Sequence, residues 1–264
     1  MVKIDWVKIP GGKFRMGLSA RQIGSLKNKL PENRRLRDNF YESTDLVSET
    51  TERVINLDTF YISRLPITNE QYHQFTLSGH LYADPEKLWV TEMYRIYHLD
   101  LWRSHPCIVP WQQAEAFCNW IGGRLPRASE WEKAARGMYG RLYPWGNNWN
   151  PACGNFDRAQ EKPSAIGTHT TPVETYPQGA SPYGVLDMMG NVHEWTRTFE
   201  WDEFHQWESL VVKGSCAEDG PSPLWFTHRA ARHRGSTDEL PYTGFRPVLD
   251  QWQHQYWTGF RQKR

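Results

Sequence analysis

Turn-forming residues recur so closely through the second half of the chain that most of this half is predicted to consist of turns. From Gly137 onward, turns are predicted at 144–148, 150–151, 177–179 and 181–184. Proline removes a backbone donor and glycine ends regular elements, so these positions are typical of loops. The chain also has 14 tryptophans and 12 tyrosines among 264 residues. Together these features predict a loop-rich domain held by buried rings.

The predicted strands are short and lie near both ends of the chain. Residues 7–9 and 13–16 flank a Pro-Gly-Gly turn and predict a β-hairpin. Residues 54–62 are rich in β-branched and aromatic side chains and predict one further strand. Short strands are also expected at 211–213 and 244–248.

The predicted helices cluster between residues 68 and 136. Thr68 and Gln71 have the spacing of a capping box, which predicts that a helix starts there. Apolar residues at helical spacing over 111–121, followed by two glycines, predict a second helix. Ser129 and Glu132 form another capping-box pattern and predict the start of a third.

The chain has no visible linker or internal repeat, which favours a single domain over residues 1–249. A polar stretch over 18–50 is interpreted as an insertion in this domain. The tail, residues 250–264, is aromatic and basic, and it either packs back on the domain or docks a partner.

Charge and cysteine usage exclude several classes of protein. The formal net charge is +1, from 31 basic and 30 acidic residues, which disfavours a specific nucleic-acid partner. The sequence contains no run of 18 apolar residues, so no membrane-spanning helix is expected. The first residues lack the apolar core of a signal peptide. Four cysteines without a Cys-x-x-Cys pair are typical of reduced thiols, so a cytoplasmic protein is expected.

A series of short motifs runs along most of the chain. They include Gly-Asn-Val-x-Glu-Trp at 190–195, Lys-Gly-Ser at 213–215 and Arg-Ala-Ala-Arg at 229–232. Further motifs lie at 9–17, 66–72, 105–106, 111–120, 123–137, 143–146, 172–173, 184–189 and 244–246. In this order the motifs resemble the formylglycine-generating enzyme family, also called the sulfatase-modifying-factor domain. The resemblance implies an α+β, C-type-lectin-like fold with few regular elements.

The resemblance also locates the family's catalytic centre and shows a departure from it. The family's enzymes carry two cysteines, about five residues apart, that bind copper(I) as soft thiolates. By resemblance these positions fall near Glu218 and near Pro223 or Leu224, and only Cys216 remains as a thiol in this stretch. Copper is therefore not expected, and Cys216 is the one candidate catalytic residue.

Structural calcium is the cofactor that the resemblance implies. Calcium takes oxygen ligands from carboxylates and backbone carbonyls. The first set resembling a family site is Asp187, Gly190, Val192 and Glu194. The second set is Asn155 and the Phe156 carbonyl with a loop near 164–167, which lacks the expected aspartate. The alternative for Glu194 is that it caps a turn or pairs with an arginine.

The preferred function is a non-catalytic recognition module that binds a protein or peptide through the former substrate groove, around 216–234. The candidate contact residues are Glu218, Trp225, His228, Arg229 and Arg232, with Trp201 and Trp207 nearby. One alternative is an oxidoreductase-type sulfatase-modifying enzyme with altered chemistry at Cys216. Another is a ligand-binding variable protein diversified by a retroelement. The oligomeric state is left open by the sequence.

Overall fold

The computed structural model of the protein describes residues 2–29, 51–78, 103–156, 169–202, 207–219 and 242–255. Within these ranges the helices are α1 (Ala20–Lys29), α2 (Asn69–Leu77), α3 (Trp111–Trp120) and α4 (Ala128–Arg136). The strands are β1 (Trp6–Ile9), β2 (Gly12–Met16), β3 (Arg53–Leu57), β4 (Phe60–Ser63), β5 (His193–Asp202), β6 (Trp207–Lys213), β7 (Thr243–Gly244) and β8 (Val248–Asp250). Short 3-10 helices lie at Pro151–Cys153 and Pro177–Gly179. The fold is of the α+β class and loop-rich, as predicted.

The first four strands form one bent antiparallel ribbon, and the predicted hairpin is wrong. β1 pairs with β4, and β2 pairs with β3, so β1 and β2 do not pair with each other. The predicted strand over 54–62 is divided between β3 and β4. The register of β1 with β4 is the same as the register of β2 with β3. A bend at Gly11 and Thr59 separates the two pairs of strands. There Gly11 N donates a hydrogen bond to Thr59 Oγ1 at 3.0 Å.

The late strands complete two sheets. β8 adds to the free side of β4, which gives the order β1-β4-β8. β5 lies between β6 and β7 in a separate sheet, antiparallel to β6 and parallel to β7. The strand predicted at 211–213 is confirmed as the end of β6, and the one predicted over 244–248 is divided between β7 and β8.

Two of the three predicted helix starts are confirmed. The capping box of α2 is formed, with both Thr68 and Gln71 in their expected roles, and α3 begins at Trp111. The start of α4 is earlier than predicted. It begins at Ala128, and the Glu130 carboxylate accepts the hydrogen bond from Arg127 N at 2.7 Å.

The core of the described residues includes two clusters that are rich in aromatic rings. One cluster joins α2, α3 and Phe245, the residue that follows β7, through aromatic contacts such as Tyr72 on Phe117 and Phe117 on Phe245. The second cluster surrounds Trp131 of α4, whose side chain is fully buried. These contacts confirm that aromatic residues hold a fold with little regular structure.

The insertion and the tail are described only in part. α1 lies inside the predicted 18–50 insertion, and residues 30–50 lie outside the described ranges. Residues 251–255 are helical, and His254 stacks on Tyr61 of β4 with ring centroids 3.5 Å apart. The single-domain boundaries stay a prediction. None of the described helices is long and apolar enough to cross a membrane.

Candidate functional site

The loop that follows β6, residues 214–219, lies beside the first residue of β5. His193 begins β5 and lies opposite Thr243 of β7. Gly214 turns the chain out of β6 with a φ of 78°, and a Cβ built there would lie 3.2 Å from the Trp131 ring. A left-handed backbone beside a buried indole suits glycine. The sheet and this turn therefore hold the loop against β5.

Cys216 belongs to a cluster with His193 and Asp219. One potential ligand atom of each residue lies within 4.8 Å of the others. His193 Nε2 is 3.0 Å from Asp219 Oδ2, and the same oxygen accepts a hydrogen bond from Cys216 N at 2.8 Å. His193 Nδ1 lies 2.9 Å from the Gly214 carbonyl oxygen. A carbonyl only accepts, so Nδ1 carries a proton and Nε2 faces the cluster.

The cluster holds an ion pair beside the thiol. Burial by itself lowers the pKa of His193, but its hydrogen bonds to Asp219 and Cys216 outweigh burial and raise it to about 10. Burial raises the pKa of Asp219, and the hydrogen bond and charge of His193 outweigh this and lower it. In a nucleophilic triad the acid binds the imidazole nitrogen that faces away from the nucleophile. Here that nitrogen binds a backbone carbonyl, so the cluster is not a triad of this kind.

All four cysteines of the chain are buried free thiols. Among the described residues, the cluster at Cys216 contains no second thiol. Copper(I) of the family type needs two thiolates, so this neighbourhood does not rebuild the family's centre.

Glu218 lies near the position that the resemblance implies for the first copper-binding cysteine. Its carboxylate lies 2.8 Å from His169 Nδ1, and the Tyr242 hydroxyl lies 3.4 Å from the same nitrogen. Burial raises the pKa of Tyr242 to about 12, and Glu218 adds to that rise. The Glu218 side chain is 39% exposed. The position therefore holds a hydrogen-bonded polar network that is partly open to solvent.

Most predicted contact residues of the groove lie outside the described ranges. These are Trp225, His228, Arg229 and Arg232. Trp201 and Trp207 lie on adjoining strands, opposite Glu208 and Asp202 respectively. Partner binding through these residues stays a prediction.

Sequence reasoning singled out Cys216 and Glu218 but missed their partners. The missed residues are His169, His193, Asp219 and Tyr242. A partial signal exists, since Asp219 follows Cys216 by three residues and His193 occupies an unassigned position of the motif over 190–195. The pairing of β5 with β6, which brings the two stretches together, is not visible in the sequence.

The first predicted calcium set contains Glu194, whose carboxylate is already engaged. Arg246 donates to Glu194 Oε1 at 2.6 Å through Nη2 and to Oε2 at 2.7 Å through Nε. Trp131 Nε1 also donates to Oε2, at 2.7 Å. Both members of the ion pair are buried, so Arg246 supplies the positive charge that calcium would bring. With Arg246 in this place, the set does not fit a calcium ion.

The other members of this set also have partners. Asp187 Oδ2 accepts a hydrogen bond from Glu174 N at 2.9 Å, and burial raises the pKa of Asp187. The Gly190 carbonyl accepts a hydrogen bond from Val192 N at 2.9 Å. These contacts agree with the alternative in which Glu194 pairs with an arginine.

The second calcium set is only partly described. Asn155 Nδ2 donates to the His169 carbonyl at 2.7 Å, and Phe156 is buried. The loop expected to complete the set lies in 157–168, outside the described residues. Calcium binding at this second set stays a prediction.

We expect calcium chloride to leave the Tm of the metal-free protein unchanged, because Arg246 already neutralises Glu194. Scanning calorimetry with and without calcium measures this. A calcium-dependent rise in Tm that Asp187→Asn abolishes would contradict the expectation and place the ion at the first set. A rise in Tm that Asp187→Asn leaves unchanged would instead indicate the second set, which contains Asn155.

Comparison with known proteins identifies the family of the chain. The family model described as sulfatase-modifying factor enzyme 1-like domain matches residues 3–251. The chain is 27% identical over 243 residues to the inactive C-alpha-formylglycine-generating enzyme 2 of Bos taurus, covering 73% of this chain and 70% of that protein. It is 31% identical over 183 residues to serine/threonine-protein kinase pkn1 of Chlamydia caviae, covering 64% of this chain and 27% of the kinase.

Among solved structures, the fold is similar to that of PvdO from Pseudomonas aeruginosa. The TM-score is 0.62 at 19% identity, and the alignment covers 92% of this chain and 93% of that one. The identity is low, so this likeness shows the fold alone. It confirms the predicted formylglycine-generating-enzyme-like, C-type-lectin-like fold.

Proposed function

The chain belongs to the sulfatase-modifying factor enzyme 1-like family, and on that premise we propose that it is a non-catalytic recognition module. It retains the fold of the formylglycine-generating enzymes and binds a protein or peptide through the corresponding substrate groove, around residues 216–234. The name of the Bos taurus relative contains the word inactive, which supports a domain without the oxidation chemistry.

The observation that carries this proposal is the identity of residue 218. Soft thiolates select copper(I), whereas residue 218 is a glutamate whose carboxylate lies 2.8 Å from His169. Neither Pro223 nor Leu224 supplies a thiol further along the chain. The two ligands that define the family's copper centre are therefore replaced.

The same network supports recognition. Glu218 offers a partly exposed carboxylate, and the raised pKa of Tyr242 keeps its hydroxyl neutral and able to donate. Polar groups that converge on a loop are typical of binding sites for polar ligands. Amide and basic groups of a peptide match the acceptor that Glu218 presents.

A peptide library displayed on phage and selected against the immobilised protein tests this function. The selected peptides are then labelled, and their Kd is measured by fluorescence anisotropy. We expect Glu218→Gln to weaken binding about 10–100-fold, the range for a hydrogen bond to a charged group. Asp58→Asn, which changes an exposed carboxylate between β3 and β4, is the matched control. Equal Kd values for all three proteins would show that the groove is not the binding surface.

The oxidoreductase alternative predicts a different result, and we expect it to fail. A sulfatase-derived cysteine peptide incubated with the protein, copper(I), a thiol reductant and oxygen should keep its thiol, because the pair of thiolate ligands is absent. Mass spectrometry detects the aldehyde, and an active formylglycine-generating enzyme serves as the positive control. Aldehyde formation that Cys216→Ser abolishes would instead establish altered chemistry at Cys216.

The cytoplasmic location belongs to the same proposal. Its support is that the four cysteines are free thiols, whereas oxidising compartments favour disulfides. The formal net charge of +1 supports a protein or peptide partner over nucleic acid. The variable-protein alternative predicts a near-duplicate of the coding segment for residues 213–248, which sequencing of the locus would reveal.

A further inference from the structure

We propose that His193, Cys216 and Asp219 bind a divalent cation of the zinc class. The site differs from the family's copper centre, whose positions fall at Glu218 and near Pro223. The proposal does not depend on whether the groove binds a peptide.

The donor atoms decide which cation the cluster suits. It offers one imidazole nitrogen, one thiol sulfur and one carboxylate oxygen, all within 4.8 Å of one another. Zinc accepts each of these three ligand types at about 2.0–2.3 Å. Calcium and magnesium take oxygen ligands and disfavour sulfur. A borderline-soft cation therefore matches the set better than a hard one.

Hydrogen bonds around the cluster already orient the donor atoms. Metal-binding histidines donate their second ring N–H to a carboxylate or backbone carbonyl, which fixes the ring. His193 meets this requirement through Nδ1 and the Gly214 carbonyl at 2.9 Å. Asp219 is held in the same way by Cys216 N, at 2.8 Å from Oδ2. The ligands are thus placed by the backbone of β5 and of the loop after β6.

The burial pattern suits an ion with one open position. Cys216 is buried, whereas the His193 and Asp219 side chains are 17% and 20% exposed. The solvent side gives an entry path, and three protein ligands leave a fourth tetrahedral position to water. His193 Nε2 and Asp219 Oδ2 lie 3.0 Å apart, and the cation replaces the direct contact between these two atoms. Zinc has no redox chemistry, so the site does not restore the family's oxidation.

Cobalt(II) is the probe, because a thiolate bound to it gives a charge-transfer band in the near ultraviolet. We expect one equivalent of cobalt to produce this band in the reduced protein, and zinc to displace it. Cys216→Ser should abolish the band. Asp219→Asn, which keeps the side-chain shape, should weaken zinc binding by more than about 100-fold, beyond the loss for an outer-shell partner. Calorimetric titration with zinc measures that affinity.

Cys153→Ser is the matched control, since Cys153 is another buried thiol whose sulfur donates to the Gln178 carbonyl at 3.4 Å. It should leave the band and the zinc affinity unchanged. Absence of the band in the wild-type protein would overturn the proposal without any variant. A band that survives in Cys216→Ser, or a Cys153→Ser variant that loses it, would also overturn it. Circular dichroism confirms that each variant is folded.

Discussion

Replacing Arg246 by methionine is expected to destabilise the protein by about 3–5 kcal/mol and to lower its Tm by roughly 6–20 °C. The Arg246 side chain is fully buried and forms a bidentate ion pair with Glu194. It also donates to the main-chain carbonyls of Ser63, Arg64 and Leu186. Methionine removes all of these donors and leaves the Glu194 carboxylate buried without its counter-charge. Unpaired buried charges and orphaned carbonyls are each costly.

Urea unfolding followed by circular dichroism measures this effect. Arg15→Met is the matched control, because the Arg15 side chain is 56% exposed and its ion pair with Glu52 spans 3.4 Å. Exposed pairs contribute less than about 1 kcal/mol. The double variant Arg246→Met/Glu194→Gln removes both buried charges and should recover part of the loss. If Arg246→Met is as stable as Arg15→Met, the ion pair of Arg246 with Glu194 does not stabilise the fold.

Glu132→Gln is expected to reduce the free energy of unfolding by about 3–5 kcal/mol at neutral pH. The Glu132 side chain is fully buried between Arg136 Nη1 at 2.5 Å and Lys213 Nζ at 3.2 Å. Gly17 N also donates to it, at 2.7 Å. Glutamine keeps the shape and still accepts from Gly17. The loss therefore comes from leaving two buried cations without a negative charge.

The effect of Glu132→Gln should depend on pH in a defined direction. Burial by itself raises the pKa of Glu132, but the charges of Lys213 and Arg136 and the Gly17 hydrogen bond outweigh it and lower the pKa. A carboxyl whose pKa is lowered on folding stabilises the native state above its unfolded pKa of about 4.3. That contribution is lost as the pH falls through the lower folded pKa. The difference between wild type and variant is therefore full at pH 7 and shrinks in acid.

Free energies of unfolding from urea titrations, taken at neutral pH and again in the acid range, measure this trend. Glu70→Gln is the control, since the Glu70 side chain is 52% exposed and pairs with Arg103 at 3.5 Å. The small difference in unfolding free energy between wild type and Glu70→Gln should not shrink comparably in the acid range. If the difference in unfolding free energy between wild type and Glu132→Gln stays constant in the acid range, the Glu132 carboxylate is not stabilised by its neighbours.

The helices were the most predictable elements, because their signals are local. Thr68 and Gln71 meet within one turn, so the sequence contains both halves of the interaction. The error at α4 has the opposite cause. Glu130 and Glu132 both stand where a capping acid is plausible, and the contacts of Glu132 with Gly17 and Lys213 are distant in sequence. Tertiary contacts therefore decided between two similar local patterns.

Strand pairing was less predictable than strand position. The turn sequence after β1 is typical of a hairpin, yet the ribbon partner of β1 is β4. Pairing across that distance is selected by burial of a shared face, which a local turn signal does not encode. The same limit applies to the site. Cys216 was visible as a lone thiol, but its neighbour His193 reaches it only through the pairing of β5 with β6.

The sheet order β1-β4-β8 has a consequence for biosynthesis. Its central strand gains its second partner only from β8, near residue 250, and Arg246 reaches Ser63 across 183 positions of the chain. A nascent polypeptide on the ribosome exposes β4 as an unpaired edge until that late strand emerges, and such edges favour aggregation. The sheet is therefore completed only after translation has passed β8, and a chain that terminates upstream of this strand lacks the second partner of β4.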